Sequence, residues 1–245
     1  MTILRGGHNH YGFTIGIITL ETQFPRVVGD IGNALTFPFP VLYRPVPGAS
    51  VTRVVLDRDR ALLQPFIEAG HTLVREGVKA LVTTCGFLAI FQKEMSQALP
   101  VPVYTSSLMQ IPLAYVATGQ RRVGVLTVNS ETLTDLHFAS VGARGIPVAI
   151  EGIQETHFGD VLIHNRLELD LDQAKEDVLG AARRLVAKHP DIGSIVLECT
   201  NLPPFAKAVQ EAVELPIFDI ISLVHLAYTT AERKPFYPFR TSSMG

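Results

Sequence analysis

Val78 to Tyr104, VKALVTTCGFLAIFQKEMSQALPVPVY, and Ile192 to Phe218, IGSIVLECTNLPPFAKAVQEAVELPIF, are two copies of one pattern. A shift of 114 residues pairs Val82 with Val196, Cys85 with Cys199, Leu88 with Leu202 and Phe91 with Phe205. It also sets Lys93 against Lys207, Ala98 against Ala212 and Pro102 against Pro216. Just downstream, at a shift of 113, Leu113-Ala114-Tyr115 recurs as Leu226-Ala227-Tyr228. The chain has 2 cysteines, and both fall at matching places. A duplicated fold with its thiols at equivalent points predicts one site between the halves, a sulfur on each side.

The repeat extends upstream. Phe13 to Thr19 is a β-branched run that reads as a first strand, and Arg122 to Thr127 is its counterpart. At a shift of 108, Gly16 and Thr19 meet Gly124 and Thr127. Between these strands and the cysteines lie helical patterns. Asp57 to Glu76 carries Leu62, Phe66, Ala69 and Leu73 on one row, and Asp172 to Lys188 carries Ala174, Val178, Ala181 and Leu185. Each helix runs into a short apolar strand, Ala80 to Thr83 or Ser194 to Leu197, that stops at its cysteine. Strands read as continuous apolar runs between helices predict parallel sheets covered on both faces. The expected fold is therefore α/β: two similar flavodoxin-like parallel-sheet domains of about four strands, related by a pseudo-two-fold, with the active site between them. The boundaries expected are 12–118, 119–228 and a C-terminal tail, 229–245. Ligands of such sheets bind beyond the carboxyl ends of the strands, where both cysteines fall.

The 245 residues suffice for a large core, and a net charge of −2 with mixed signs leaves no footprint for nucleic acid. No apolar run approaches the ~20 residues that span a bilayer, and MTILRGGHNHYGF lacks the apolar core of a secretory signal. Two distant cysteines without such a signal predict free thiols in the cytoplasm; a Cys85–Cys199 disulfide is the alternative. Eight scattered histidines and two distant cysteines predict no metal. A homo-oligomer is left open.

Two facing thiols suit proton transfer at carbon. A thiolate is a base and a thiol an acid, so a pair on opposite faces of a substrate can remove a proton and return one with inversion. Amides at a helix start lower a thiol pKa and can hold a carboxylate. Gly86 permits close backbone approach to a ligand, and Thr84, Thr200 and Asn201 add polar groups beside the sulfurs. The competing reading of a single cysteine is a small buried hydrophobe.

Thr84-Cys85-Gly86 and Glu198-Cys199-Thr200-Asn201 are the motifs by which the chain resembles the aspartate/glutamate racemase superfamily, over about Thr14 to Tyr228. That superfamily also contains hydantoin racemases, maleate isomerases and arylmalonate decarboxylases. The resemblance implies two α/β domains with the active site between them, no cofactor, and Cys85 and Cys199 as the catalytic pair. It implies a cofactor-independent racemase or epimerase of an amino acid or related carboxylate. A maleate-type cis–trans isomerase using the same cysteines is the alternative, and a non-catalytic small-ligand-binding protein is a further one. Cys85-Gly86-Phe87 and Cys199-Thr200-Asn201 stand where glutamate racemases carry Cys-Asn-Thr and Cys-Thr-His. Thr19-Leu20-Glu21 stands where they have an Asp-Ser-Gly turn. Glutamate is thus not read as the substrate, and no histidine carries over to the second cysteine.

Four further residues are weaker candidates. Asp30 and Asn33 can bind substrate or close turns in their own Gly-rich loop. Ser130 and Thr132 can face the cleft or cap a helix. Pro25 to Ser50 reads as an ordered loop or lid, and Phe37, Phe39, Phe87 and Phe91 as core or as apolar cleft wall.

Overall fold

The computed structural model describes residue 3 and residues 6–235. The N-terminal half runs β1 (Ile15–Thr19), β2 (Val41–Pro45), α1 (Leu63–Arg75), β3 (Ala80–Thr83), α2 (Gln92–Ala98), β4 (Val103–Tyr104) and α3 (Ile111–Ala117). The C-terminal half runs β5 (Arg122–Thr127), α4 (Asp135–Ser140), β6 (Val148–Gly152), α5 (His157–Ile163) and α6 (Leu171–Lys188). It closes with β7 (Ile192–Leu197), α7 (Ala206–Val213), β8 (Ile217–Phe218) and α8 (Ile220–Ala231). The two sheets have the same order, β2-β1-β3-β4 and β6-β5-β7-β8, with every pairing parallel. Register follows the repeat too: Ile17 pairs Val82 as Val125 pairs Val196.

The matched glycines of the first strands have a packing cause. A Cβ on Gly16 would press on Leu73 of α1 and Leu81, and one on Gly124 on Leu185 of α6 and Ile195. Their absence lets each helix lie close on its sheet. The predicted buried rows are observed, with Phe66, Ala69 and Leu73 inside α1 and Ala174, Val178, Ala181 and Leu185 inside α6.

Three details differ from expectation. The helix expected from Asp57 starts later: Arg58 has φ 52°, a 3-10 turn follows at Arg60–Leu62, and α1 begins only at Leu63. Asp59 caps that turn by accepting from Ala61 N at 2.9 Å. The stretch 25–50 is not wholly loop, since it holds the edge strand β2, whose last residue is Pro45. Of the tail expected over 229–245, residues 229–231 close α8, while 236–245 lie outside the described residues.

The halves interlock. Helix α3 packs on β5 and β7, while α8 packs on β1 and β3, so each closing helix covers the other half's sheet. The inner face of α8, Ile220, Leu223, Val224 and Ala227, joins Ile15, Ile17, Ala80 and Val82 in one core cluster. Ser107 Oγ donates to Leu197 O at 2.6 Å, and Gln110 Nε2 to Asp219 O at 2.7 Å. Leu223→Ala should therefore cost about 2–4 kcal/mol, as a core leucine does. Urea unfolding should show that loss in a single transition; loss confined to a separate transition of one half would mean the halves fold independently.

Candidate active site

Both cysteines sit just past a buried strand. After β3, Thr84 Oγ1 accepts from Leu20 N at 3.1 Å, and Cys85, still extended, precedes a 3-10 helix, Gly86–Phe91. After β7 come Glu198 and Cys199, then a turn and a 3-10 helix, Pro203–Phe205. Each cysteine is thus followed by 3-10 structure, with α2 and α7 starting only at Gln92 and Ala206. Thr200 Oγ1 donates to Thr84 O at 2.6 Å and ties the two strand ends together.

Cys85 and Cys199 line one narrow cavity of about 30 Å³, partly open to solvent. Both thiols are buried and free, without a disulfide. The walls are apolar at Leu20, Phe24, Val51, Val55, Phe87, Val128 and Leu162. Polar groups come from Thr22, Arg26, Thr84, Glu198, Thr200 and Asn201, and Gly86 completes the wall. A small, largely apolar cavity with a few convergent polar groups is the usual form of a small-molecule site.

The expected lowering of the thiol pKa values is outweighed. The amides of Phe87 and Leu88 favour the Cys85 thiolate, but burial, then Glu198, pushes Cys85 up to about 12. Burial, followed by Glu198, raises Cys199 well above its ordinary value, against the amide of Asn201. Burial is the larger effect because charging a sulfur inside the cavity forfeits its hydration. Within the cavity as it stands, both sulfurs are thiols at neutral pH.

Arg26 is the cation of the cavity wall. Its Nη1 donates to Asp30 Oδ1 at 2.7 Å and its Nη2 to Thr22 Oγ1 at 2.9 Å. Its guanidinium lies 4.6 Å from the Phe24 ring centre. Asp30 is buried behind the wall, where its Oδ2 accepts from Asn201 Nδ2 at 2.6 Å. Asn201 Oδ1 in turn accepts from the Cys199 thiol at 3.6 Å. Arg26, Asp30 and Asn201 thus connect the loop after β1 to the second sulfur.

Of the candidates named from the sequence, Thr84, Cys85, Gly86, Cys199, Thr200 and Asn201 line the cavity, and Asp30 supports it from behind. The other three are also outside its lining. Asn33 serves its own loop, with Oδ1 accepting from Leu35 N and Nδ2 donating to Arg26 O, both at 3.0 Å. Ser130 Oγ accepts from Gln154 Nε2 at 3.1 Å, and Thr132 turns its amide to Asn129 Oδ1 at 3.2 Å. The space beside Gly86 is filled by protein: a Cβ there would collide with Oε1 and the carbonyl of Glu198. Phe87 lines the cavity, whereas Phe39 stacks on Tyr228 at 3.8 Å.

Arg26 and Glu198 were missed. Glu198 stands opposite Thr84 in the repeat, so a carboxyl in place of a hydroxyl at one strand end was the available signal. It is fully buried, Thr127 Oγ1 donates to its Oε2 at 2.7 Å, and burial pushes its pKa up to about 8. Arg26 lies in a loop whose course depends on tertiary contacts, and no local pattern marked it. Among the described residues, no group of three or more His, Cys, Asp or Glu is placed to hold a metal ion, and no helix is long and apolar enough to cross a membrane.

Two parallel-sheet halves with paired cysteines at a shared cavity define a racemase-like α/β enzyme fold, and the chain belongs to the Asp/Glu/Hydantoin racemase family, whose profile matches residues 41–226. Its curated relatives include a dimethylsulfoniopropionate lyase of Durusdinium sp. clade D, 31% identical over 85% of this chain and 71% of that protein. Dimethylsulfoniopropionate lyase 7 of Emiliania huxleyi is 30% identical over 85% of this chain, which spans 64% of its length. A cysteine-substituted arylmalonate decarboxylase, solved in a sulfate-associated form, has the same fold. Its TM-score is 0.62 at 18% identity, covering 91% of this chain and 97% of that one.

Proposed function

We propose that this chain is a cofactor-independent enzyme that removes the proton α to the carboxylate of a small substrate, with a cysteine as base. The observation that carries the proposal is the convergence of Cys85 and Cys199, from equivalent strand ends, on one cavity that also presents Arg26. The guanidinium offers a charge-assisted fork to a substrate carboxylate. It also favours a thiolate over a thiol, opposing the burial that keeps both sulfurs protonated. One thiolate then takes the α-proton, and the other thiol protonates the opposite face. The outcome is racemisation or epimerisation of an amino acid or related carboxylate.

A second outcome has its own support, in the relatives named dimethylsulfoniopropionate lyases. In such a substrate the β-carbon carries a leaving group. The thiolate takes the α-proton, the C–H pair becomes the new C=C bond, and the C–S bond breaks with its pair leaving on sulfur. Acrylate and dimethyl sulfide result, and one cysteine suffices as base. The aromatic wall at Phe87 suits a sulfonium cation.

Incubation in D2O followed by NMR tests both outcomes. The panel is amino acids, hydantoins, maleate and dimethylsulfoniopropionate. Deuterium at the α-carbon of both enantiomers identifies a racemase, vinyl signals of acrylate a lyase, and fumarate from maleate the cis–trans isomerase. No change in any of them would leave a non-catalytic binding protein. With the active substrate, Arg26→Ala should raise KM roughly 100-fold, as a buried charge-assisted bond predicts. An unchanged KM would remove Arg26 from carboxylate binding.

A further inference from the structure

One carboxyl in the cavity, which raises the pKa of both thiols, has no role of its own in the proton transfers proposed above. Glu198 directly follows the buried strand β7 and lines the cavity beside Cys199. Its Oε2 is satisfied by Thr127 of β5, but Oε1 is buried and has no hydrogen-bond partner among the described residues. That oxygen occupies the space that Gly86 leaves by lacking a Cβ. The carboxyl therefore reaches from the Cys199 strand to the backbone that follows Cys85. A buried carboxyl oxygen without a partner is unfavourable unless a bound group completes it.

We propose that Glu198 is a carboxylic-acid donor of the site: its Oε1–H binds one oxygen of the substrate carboxylate and stabilises the charge that develops there. The assignment rests on the α-proton abstraction proposed above. In that step the S–H bond forms, the α C–H bond breaks, and its electron pair moves toward the carboxylate. The carboxylate approaches an enediolate with two negative charges. A water-excluded donor already in place stabilises that state more than the ground state. The proton is shared with the substrate oxygen and stays on Glu198, so the step needs no further reactant.

The surroundings suit a neutral acid. The Thr127 hydroxyl faces it from β5, and Cys85 and Cys199 are the nearby ionisable groups. Arg26 and Asp30, from the loop after β1, are paired with each other at 2.7 Å. Burial, holding the Glu198 pKa at about 8, keeps the proton in place at neutral pH. The glycine after the first cysteine and the glutamate before the second form a matched pair, because any side chain at 86 would displace the carboxyl.

Propionate is the probe, titrated calorimetrically into the whole protein in two buffers of different ionisation heat. At about pH 9, above the Glu198 pKa of about 8, wild type should take up close to one proton per propionate bound, and at pH 6 none. Glu198→Gln should take up none at either pH. Binding at pH 9 without proton uptake, or equal uptake by the variant, would overturn the assignment. Infrared spectra of wild type give a test without a variant: a protonated-carboxyl band should be present at pH 7 and fade through about pH 8. Its absence at pH 7 would also overturn the assignment. Neither measurement needs turnover, so failure of the D2O assay would remove the reaction while leaving the carboxylic-acid donor standing. In turnover, Glu198→Gln keeps an N–H donor, so kcat/KM at pH 7 should fall only about 10–100-fold. Wild-type kcat/KM should decline above about pH 8 as Glu198 loses its proton, and that decline should be absent from the variant. Complete loss of exchange would instead make Glu198 a proton carrier and refute the donor role.

Discussion

Cys85→Ser and Cys199→Ser should each lower inversion of a substrate by roughly 10³-fold or more, because a serine hydroxyl is far too weak a base at neutral pH. Both thiols line one cavity, so each can serve one face of the bound carbon. Loss of inversion alone would also follow from misfolding. Solvent exchange with each enantiomer separately resolves this. A variant with one cysteine can still remove the proton from its own face and return a deuteron there with retention. Cys85→Ser should exchange one enantiomer and Cys199→Ser the other. Inversion near the wild-type rate by either variant would rule out two bases. In β-elimination the pattern differs, since only the cysteine facing the α-proton is essential, and the two variants should differ widely in acrylate formation.

Stability should respond to Glu198→Gln with a pH signature. The folded protein holds the Glu198 proton up to about pH 8, whereas the unfolded chain releases it near the ordinary 4.5. The contribution of this group is complete below about pH 4.5 and is lost as pH rises to about 8. Glutamine does not titrate and escapes that loss. The variant should therefore gain roughly 3–5 kcal/mol over wild type at pH 8, at about 1.4 kcal/mol per pH unit, and almost nothing at pH 4.5. Urea denaturation at the two pH values measures the difference. Equal gains at both would show that Glu198 is ionised in the folded state or that packing alone decides. Stability gained at the expense of turnover would match a carboxyl retained for the reaction.

Much of this molecule is legible in the residues. The spacing of 114 between Cys85 and Cys199 reports the duplication, and apolar runs ending at each cysteine report two central parallel strands. Those strands are buried along their whole length, with Thr83 and Ser194 as their only polar side chains, so the apolar signal is local. Edge strand β2 was hidden because it is half-exposed and lies beside Phe37-Pro38-Phe39-Pro40, whose prolines read as loop.

What only the tertiary structure decided are matters of long-range contact. Helices α3 and α8 have apolar faces that would suit either sheet; their exchange follows from where the chain crosses, with Ser107 and Gln110 bonded to the far half. Arg26 reaches the cavity only because Asp30 and Thr22 hold it there, from a loop with no periodic pattern. The thiols were expected to be acidified by nearby amides, and the amides are present, but enclosure by both halves raises both pKa values instead. Local sequence places a side chain at a strand end. Its desolvation, and hence its protonation state, depends on what the other half of the chain packs around it.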